Sequence, residues 1–354
     1  MQDQIEFTVQ GRTAYPVSAA SSRVRVANYI PFLARHGIEL KFASTLSSSE
    51  YSTLVSAAHP LRKATVLGRS ALRAAATRSS DDLTLVHRLL LLTPLPAVDP
   101  PRMLDVYDFD DALLVGYAAA AHRRFQWTKQ EGRRAIACMS RAKLVLTGNA
   151  TLAAQAAEYA RRVEVIPSCV DPQSQPLRVH GEQDLPTIGW IGSHTTVSYL
   201  EPLLEVLDRM QARGARFRFV VIGGDSGLRA PWIEHRPWSE ETQAGELAQL
   251  DIGVMPLPDT EWTRGKSGYK LLQYFAAGVP AVASPVGVNT YFVSEGRGIA
   301  ATSAREWEIA LDELLHDAGA REQRGAAARQ FVERHYSYQR WAPELADLLR
   351  SIRR

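Results

Sequence analysis

The chain has 354 residues, 45% hydrophobic and 22% charged, with a formal net charge of +3. This composition is typical of a soluble globular protein with two cores, and it excludes disordered and disulfide-rich chains. The longest apolar run is too short to span a bilayer and no signal peptide opens the chain, so we expect a cytoplasmic protein. The two cysteines and nine histidines match no metal-ligand spacing, so no metal site is expected.

Charge is distributed unevenly along the chain. Residues 1–180 hold 22 Lys and Arg against 15 Asp and Glu, whereas residues 181–354 hold 19 against 23. The basic residues form no run and accompany no aromatic platform, which disfavours a nucleic-acid partner. A basic half fits an anionic acceptor or an anionic membrane surface better.

Strands and helices alternate through the first 180 residues. Hydrophobic patterns predict strands at residues 5–10, 39–44, 83–87, 102–107, 144–147 and 163–167. Helical periodicity predicts a helix that is capped by Ser21 or Ser22 and stops at Gly37, and further helices at 61–78 and 118–140 and after Asn149.

The alternation stops at residues 169–185, a Pro-, Gln- and Asp-rich segment that we interpret as a linker, and then resumes. Strands are predicted at residues 187–191, 218–222, 252–255 and 281–284, and helices at 197–213, 240–250 and 266–277, with three more before the C-terminus. Two such series predict an α/β protein with two Rossmann-like, doubly wound parallel-sheet domains facing across a cleft. Their predicted bounds are 1–180 and 181–335, and a helix at 336–354 is predicted to cross back to the first domain.

The segment 264–287 (RGKSGYKLLQYFAAGVPAVASPVG) contains two of the six lysines of the chain, Lys266 and Lys270. Both are predicted in the first turns of one helix, and Gly265, Ser267 and Gly268 are predicted just ahead of or within its first turn. Free backbone N–H groups and the helix dipole make such an end an anion site, and the two ammonium groups suit a diphosphate. A capped amphipathic helix with two solvated lysines is the alternative. The spacing does not match a Walker loop.

Four parts of the sequence resemble retaining glycosyltransferases of family 4, which have the GT-B fold. They are the strand "DIGVMPL" at 251–257, the helix "KLLQYFAAGVP" at 270–280, and the segments "GWIGSH" at 189–194 and "DFDDA" at 108–112. The resemblance implies that the second domain binds a nucleoside-diphosphate sugar and the first an acceptor. It implies that Ser193, His194 and the 264–270 segment face the donor phosphates.

One departure from the family concerns two positions that many members fill with glutamate, here Gly265 and Gln273. The amide of Gln273 can still form a hydrogen bond with a ribose hydroxyl. Gly265 has no side chain that could bind the sugar, so Arg264, Lys266 or backbone amides would have to bind it. By the resemblance, Trp238 lies where the family grips the base, although it could equally be a core residue.

Three carboxylates, Asp108, Asp110 and Asp111, follow one another at a strand end. Their mutual repulsion favours a solvated or functional setting over an ordinary one. The resemblance implies that this loop faces the acceptor and the reacting carbon, with Asp110 the preferred catalytic residue. Arg25 either reaches the same place or lies on the solvent face.

The basic helix at 61–78 carries a modest apolar stripe without Trp or Phe. Membrane-associated relatives dock such a helix on anionic lipid, but core packing is the favoured interpretation here, so membrane association is not the preferred prediction.

The resemblance implies a metal-independent, retaining glycosyltransferase without a cofactor, acting on an acceptor hydroxyl of a natural-product or cell-envelope glycan precursor. A UDP-sugar is the preferred donor, with GDP- and dTDP-sugars as alternatives. Lys266 would stabilise the leaving diphosphate, and the acceptor hydroxyl would pass its proton to the departing phosphate. A nucleotide-sugar epimerase and a non-catalytic nucleotide-sugar-binding partner are the two other classes. The Ala- and Arg-rich composition indicates a bacterial source.

Overall fold

A computed structural model describes residues 5–56, 59–76, 81–92, 101, 103–115, 130–224, 227 and 230–353. The chain divides into two compact units. Unit 1 comprises Met1–Cys169, Gly265–Ser267 and Tyr338–Arg354, and unit 2 comprises Val170–Arg264 and Gly268–Ser337. Each unit is therefore assembled from separate stretches of the sequence.

Unit 1 contains a parallel six-stranded sheet in the order β2-β1-β3-β4-β5-β6. Its strands are β1 (Phe7–Thr13), β2 (Ile38–Ser44), β3 (Leu83–His87), β4 (Val106–Phe109), β5 (Leu144–Thr147) and β6 (Val163–Val165). The helices between them are α1 (Ala20–Arg25), α2 (Ile30–Ala34), α3 (Ser48–Val55), α4 (Pro60–Ala76), α5 (Glu131–Arg141) and α6 (Ala150–Ala156). The topological switch point lies between β1 and β3, where ligands of such sheets bind.

Unit 2 contains a second parallel sheet, in the order β12-β11-β10-β7-β8-β9. Its strands are β7 (Thr187–Gly192), β8 (Arg218–Gly223), β9 (Ile233–Arg236), β10 (Ile252–Met255), β11 (Ala281–Ala283) and β12 (Gly298–Ala300). Its helices are α7 (Glu201–Ala212), α8 (Gln243–Leu247), α9 (Glu261–Arg264), α10 (Tyr269–Ala276), α11 (Asn289–Phe292), α12 (Ala304–His316) and α13 (Ala318–His335). This is the strand order of a Rossmann fold, and its switch point lies between β7 and β10.

The last helix, α14 (Tyr338–Arg353), belongs to unit 1 and supplies part of its core. The Tyr338 ring lies 4.8 Å from that of Tyr29 and 5.2 Å from that of Phe32. The Tyr338 hydroxyl donates to the Val24 carbonyl oxygen at 3.0 Å. A segment far along the sequence thus closes the same core that β1 and α2 begin.

The sheet of unit 2 is covered on both faces. In β8, Phe219 and Val221 pack in a cluster with α7 and α12, whereas Val220 and Ile222 pack in a cluster with α10 and α13. Successive side chains of a strand point to opposite faces, so continuous apolar strands of this kind require helices on both sides.

Two predicted helices differ from the structure. The helix expected from Ser22 to Gly37 is divided into α1, a 3₁₀ turn and α2, and neither Ser21 nor Ser22 caps it, because α1 begins after Ala19 without a side-chain cap. The helix expected over 118–140 corresponds in its described part to α5, and residues 118–129 lie outside the described residues.

Helix α4 is mostly exposed. Of its residues only Val66, Ser70 and Ala74 are buried, while Leu61 and Leu72 are each 72% exposed. The expected core packing is therefore limited to one narrow stripe. Among the described residues, no helix combines the length and the apolar character needed to cross a membrane.

Candidate functional site

The three aspartates of the DFDD segment surround the end of β4, at the carboxyl edge of the first sheet. Asp108 is the third residue of β4 and is 2% exposed, while Asp110 and Asp111 follow the strand and are partly buried. Burial of a carboxylate is unfavourable unless the charge is paired. Their neighbours in unit 1 therefore decide what these groups can do.

Arg25 pairs with Asp108. The guanidinium Nη2 donates to Asp108 Oδ1, Nε donates to Oδ2 at 3.1 Å, and Nη1 donates to the Ile166 carbonyl oxygen at 2.6 Å. Burial alone would raise the pKa of Asp108, but Arg25 and His87 lower it to about 2. Of the two predicted positions of Arg25, near the aspartates or on the solvent face, the first is therefore correct.

Two residues at the end of β3 contact the same carboxylates. His87 lies opposite Asp108 in the parallel register, and its Nδ1 is 2.6 Å from Asp108 Oδ2. Arg88 follows with a positive φ of 57°, and its guanidinium donates to Asp110 Oδ1 at 2.8 Å and to Asp111. The left-handed backbone of Arg88 is uncommon for a non-glycine residue, and such residues cluster at functional sites.

The segment Gly265–Ser267 also belongs to unit 1 and completes the group. The Lys266 ammonium is 3.7 Å from Asp111 Oδ1, and the Ser267 hydroxyl donates to the Asp110 carbonyl oxygen at 3.0 Å. Asn149 Nδ2 donates to the Gly265 carbonyl oxygen at 2.9 Å. We call the charged and imidazole side chains together the acidic network: Arg25, His87, Arg88, Asp108, Asp110, Asp111 and Lys266.

Three carboxylates of the acidic network are matched by three cations, so a solvated setting, one of the two that their repulsion predicted, is not what the structure shows. Ion pairs offset the repulsion of Asp108, Asp110 and Asp111. Burial raises the pKa of Asp110, but Arg88, His87 and Arg25 outweigh this and hold it below its ordinary value. Across the described part of the chain, no group of three or more His, Cys, Asp or Glu side chains is arranged to hold a metal ion.

The second group of candidate residues lies at the carboxyl ends of β7 and β8 in unit 2. The Gly224 amide donates to the Gly192 carbonyl oxygen at 2.9 Å. A methyl group at Gly224 would overlap the backbone of Ser193 and His194, so the two turns pack backbone to backbone. We call Gly192–His194 together with Gly223 and Gly224 the glycine edge. The sequence alone indicated only a turn at residues 223–227.

Lys270 lies against the glycine edge. Its ammonium is 5.0 Å from the centre of the Trp190 ring, and a Cβ on Gly192 would come within 2.7 Å of it. The positive charge is therefore held at the end of β7, the strand at the switch point of this sheet. Such a position beside the start of a helix favours an anion.

The expected pairing of Lys266 and Lys270 on one helix face is wrong. Helix α10 begins at Tyr269, after Gly268, which has a φ of +62° and ends the preceding loop. Lys266 lies before the helix and belongs to unit 1, whereas Lys270 belongs to unit 2. Gly268, which the sequence predicted in the first helical turn, instead precedes α10 in a left-handed conformation.

The remaining residues predicted to bind the donor sugar nucleotide, Arg264, Gln273 and Trp238, lie in different surroundings in unit 2. The exposed Arg264 guanidinium pairs with Asp259 at 2.6 Å. Gln273 is buried in α10, and the half-buried Trp238 donates from Nε1 to Gln243 Oε1 at 2.7 Å and packs against the core. The structure does not assign a ligand role to any of the three.

A comparison with family models decides what unit 2 is. Residues 185–317 match the model of the glycosyl transferases group 1. We call this matched segment the group 1 domain. It includes the glycine edge and Lys270, and the resemblance to group 1 glycosyltransferases that was inferred from the sequence is confirmed for this segment. No curated protein sequence matches the chain significantly.

Solved structures of glycosyltransferases extend the likeness of this domain to the whole fold. Sucrose-phosphate synthase from Thermosynechococcus elongatus superposes with a TM-score of 0.71 at 14% identity over 98% of this chain and 99% of its own. HepE of Anabaena, in complex with UDP-glucose, gives 0.66 at 12% over 98% and 100%. WaaG, a glycosyltransferase of lipopolysaccharide biosynthesis, gives 0.63 at 12% over 96% and 99%. The predicted GT-B fold is confirmed, and the family match and the fold support a glycosyltransferase.

Sequence reasoning missed four functional candidates. His87 and Arg88 stand at the end of a buried strand, and that position was the signal that could have identified them. Gly224 was visible as the second of two glycines directly after a strand. Trp190 gave no signal, because an aromatic residue in an apolar strand is ordinarily a core residue.

The glycine edge of the group 1 domain gives the first testable prediction. Gly224→Ala is expected to lower the free energy of unfolding by about 1–3 kcal/mol, because the backbone of Ser193 and His194 must move to admit the methyl group. Urea unfolding measures the change. Gly245→Ala is the control, since Gly245 lies in α8 with open space around its Cα, and it should leave stability equal or slightly raised. Equal effects of the two variants would contradict the close backbone approach.

Proposed function

We propose that this protein is a retaining glycosyltransferase that moves a sugar from a nucleoside-diphosphate sugar to an acceptor hydroxyl. The observation that carries the proposal is the position of Lys270 in the group 1 domain, over Trp190 and beside Gly192 at the switch point of the second sheet. A diphosphate needs point charges and directional donors together, and this edge of the sheet supplies both.

The proposed donor site follows from the backbone of the glycine edge. Because Gly192 and Gly224 lack side chains, the Lys270 ammonium and the backbone of Ser193 and His194 pack closely together at the ends of β7 and β8. The N-terminal turn of α10 adds the positive end of a helix dipole. We propose that Ser193, His194 and Lys270 hold the phosphates, with Gln273 on the ribose and Trp238 near the base.

A UDP-sugar is the preferred donor. The support comes from HepE, whose structures contain UDP and UDP-glucose. The reaction is proposed to need no metal, because ammonium and guanidinium groups of the chain can offset the growing negative charge of the diphosphate. Lys266 and Arg264 remain candidates for this role beside Lys270.

The proposed chemistry is a front-face substitution. The bond from the anomeric carbon to the diphosphate oxygen breaks while the acceptor oxygen forms its bond on the same face. The acceptor proton passes to the departing phosphate oxygen, and the nucleoside diphosphate leaves. Asp110 is proposed to orient the acceptor, with Asp108 and Asp111 supporting the loop that carries it.

Calorimetric titration with UDP, GDP and dTDP, without added metal, tests the proposal. We expect micromolar affinity for one nucleotide, and we expect Lys270→Ala to weaken it by about tenfold or more, since a hydrogen bond to a charged group contributes about 1.5–3 kcal/mol. Lys143→Ala is the matched control, because Lys143 is an exposed lysine of unit 1 paired with Asp105. It should bind like the wild type.

The outcomes separate the parts of the proposal. No binding of any of the three nucleotides would overturn the donor site. Binding that is equal in the wild type and Lys270→Ala would move the diphosphate away from the glycine edge. Once a nucleotide is identified, proton NMR of the transferred sugar reports whether the anomeric configuration is retained.

A further inference from the structure

A groove lies in unit 2 between the end of α7 and helix α12, and we call it the α12 groove. Its volume is about 860 Å³, within the range of about 300–1,000 Å³ that is typical of ligand sites. The two helices pack on one face of the sheet through their apolar sides, so their outer sides form the groove. None of the residues that line it belongs to the glycine edge or to the acidic network, and the proposed chemistry does not use it.

Ile309 is the large apolar residue that is most exposed in the α12 groove. It is 58% exposed, whereas Trp307 and Leu311, two residues before and after it, are buried in the core. Ile309 therefore points away from the sheet. Met210 and Ala215 add apolar surface beside it. A single exposed apolar side chain is ordinary on a protein surface, so the charges around Ile309 decide what fits the groove.

Charged residues flank Ile309 along the exposed side of α12. Arg305, Ile309, Asp312 and His316 are spaced four, three and four residues apart, so they lie on one face of the helix. Arg305 has no ion pair among the described residues. Asp312 pairs with His316 at 3.4 Å, and both of these side chains are more than 60% exposed. This face is therefore basic at its start, apolar in its middle and acidic towards its end.

The wall that α7 contributes to the α12 groove is basic. Arg213 donates to Glu308 Oε1 between the two helices, and Arg209 has no ion pair in the part of the chain that the structure describes. An acidic ligand would be attracted by Arg209 and Arg305 but repelled by Asp312, and a basic ligand would meet the opposite problem. An occupant that fits must carry an acidic, an apolar and a basic group in one row.

A second copy of α12, packed antiparallel to the first, carries these groups in that order. With Ile309 of both copies at the two-fold axis, residue 305 of one copy lies level with residue 313 of the other and about 1.5 Å along the helix from residue 312. Arg305 then faces Asp312 and Glu313 of the second copy, and the reciprocal pair forms on the other side of the axis. The antiparallel arrangement also places the positive end of each helix dipole near the negative end of the other.

We propose that the α12 groove is the interface of a symmetric dimer, in which a second copy of this chain lays its own α12 along the groove. The two Ile309 side chains cover each other at the two-fold axis. Arg305 of each copy pairs with the acidic end of the opposite helix, and these charge pairs set the register of the two helices. The proposal goes beyond the proposed function and does not depend on it.

Sedimentation velocity and equilibrium of the full chain test the proposal. An interface formed mainly by one helix of each chain is small and binds weakly, so the chain concentration is raised to about 500 µM at low salt. We expect the average mass to rise from that of one chain towards that of two, and added salt to weaken the association by screening the ion pairs. A chain that stays monomeric at every concentration overturns the proposal, and a ligand of different chemistry would then have to explain the groove.

Ile309→Lys tests the apolar centre of the interface. The substitution places two ammonium groups at the two-fold axis, and we expect it to raise the dissociation constant of the dimer by about tenfold or more, because like charges that face each other across an interface are strongly unfavourable. Leu177→Lys is the matched control, since Leu177 is 57% exposed in the same unit but does not line the groove. It should dimerise like the wild type, and equal effects of the two variants would overturn the proposal.

An exchange of charges tests the antiparallel register. Arg305→Asp and Asp312→Arg each put like charges opposite each other, and each is expected to raise the dissociation constant by about three- to tenfold. The double variant restores opposite charges and should recover most of this loss. Arg305 and Asp312 of one chain lie about 10 Å apart along the helix, too far for an ion pair, so the recovery reports a contact between two copies.

The remaining outcomes also decide. A dimer that forms equally in all of these variants would use another surface and would overturn the proposal. A double variant that dimerises more weakly than both single variants would have the same consequence, because the helices would then not meet in the antiparallel register. Thermal unfolding of each variant at low concentration checks that unit 2 stays folded. If Ile309→Lys does not fold, the exchange of charges still decides.

Discussion

Asp251→Ala is expected to lower the free energy of unfolding of unit 2 by about 3–5 kcal/mol, the scale of a buried ion pair that loses one partner. Asp251 is 0% exposed, and Arg178 Nη2 donates to its Oδ1 at 2.7 Å. The Thr187 amide donates to Oδ2 at 2.8 Å, and Arg321 Nε lies 3.9 Å from Oδ1. Urea unfolding at neutral pH measures the loss.

The loss of stability in Asp251→Ala is expected to be large because of Arg321, which is 1% exposed. Burial lowers the pKa of Arg321, and the charge of Asp251 opposes that change. Without Asp251, the buried guanidinium loses the carboxylate that contributes most to balancing the unfavourable burial of its charge. The segment of unit 2 before β7 is affected too, because it contains Arg178.

Asp259→Ala is the matched control for Asp251→Ala. Asp259 also pairs with an arginine, Arg264, but both side chains are more than half exposed. An exposed pair contributes about 0–1 kcal/mol, so this variant should unfold close to the wild type. A loss of less than about 1 kcal/mol in Asp251→Ala as well would show that the buried network of unit 2 does not hold the fold.

Arg25→Met is expected to lower the free energy of unfolding by a similar amount, about 3–5 kcal/mol at neutral pH. The substitution keeps much of the volume of the side chain and removes the charge that faces Asp108. Asp108 is then left buried with His87 as its remaining partner in the acidic network. Thermal or urea unfolding of the two proteins measures the difference.

The difference in stability between the wild type and Arg25→Met depends on pH, and the lowered pKa of Asp108 determines how. Arg25 and His87 hold this pKa at about 2, below the ordinary 3.8, so the ionised carboxylate stabilises the fold above pH 4. This contribution is lost as the pH falls from about 4 to about 2. Arg25→Met raises the folded pKa of Asp108, so the wild type and the variant should approach each other in stability over that window.

The control for Arg25→Met is Arg162→Met, which removes an arginine of unit 1 that pairs with Glu164 at the surface. It should change stability by less than about 1 kcal/mol at any pH. A gap between the wild type and Arg25→Met that stays constant from pH 7 to pH 2 would contradict the role given to Asp108.

The sequence predicted the two parallel sheets well, because apolar strands of three to seven residues alternate with amphipathic helices. It failed where the backbone departs from a regular period. The break between α1 and α2 falls in a stretch whose apolar pattern continues across it. Helix α10 starts at Tyr269 because Gly268 before it has a left-handed backbone. The hydrophobic periodicity does not show this, since a glycine is also compatible with a helical turn.

The candidate site was only partly predictable, for a different reason. The aspartates of the DFDD segment are adjacent in sequence and could be found there. Their partners Arg25, His87, Arg88 and Lys266 lie up to about 160 residues away, and only the order of the strands brings them together. A local pattern predicts three repelling carboxylates, whereas the folded sheet pairs each of them with a cation.

The discontinuous make-up of unit 1 has a consequence for synthesis of the chain. When the ribosome has produced the first 169 residues, all six strands of the first sheet exist, but Lys266 and helix α14 do not. The core that Tyr338 closes against Tyr29 and Phe32 stays open, with apolar side chains in water, until the last residues emerge. Unit 2 contains no such late segment beyond Ser337. The unit that is translated first is therefore the one that finishes folding last, and during that interval it is the part of the nascent protein most exposed to aggregation.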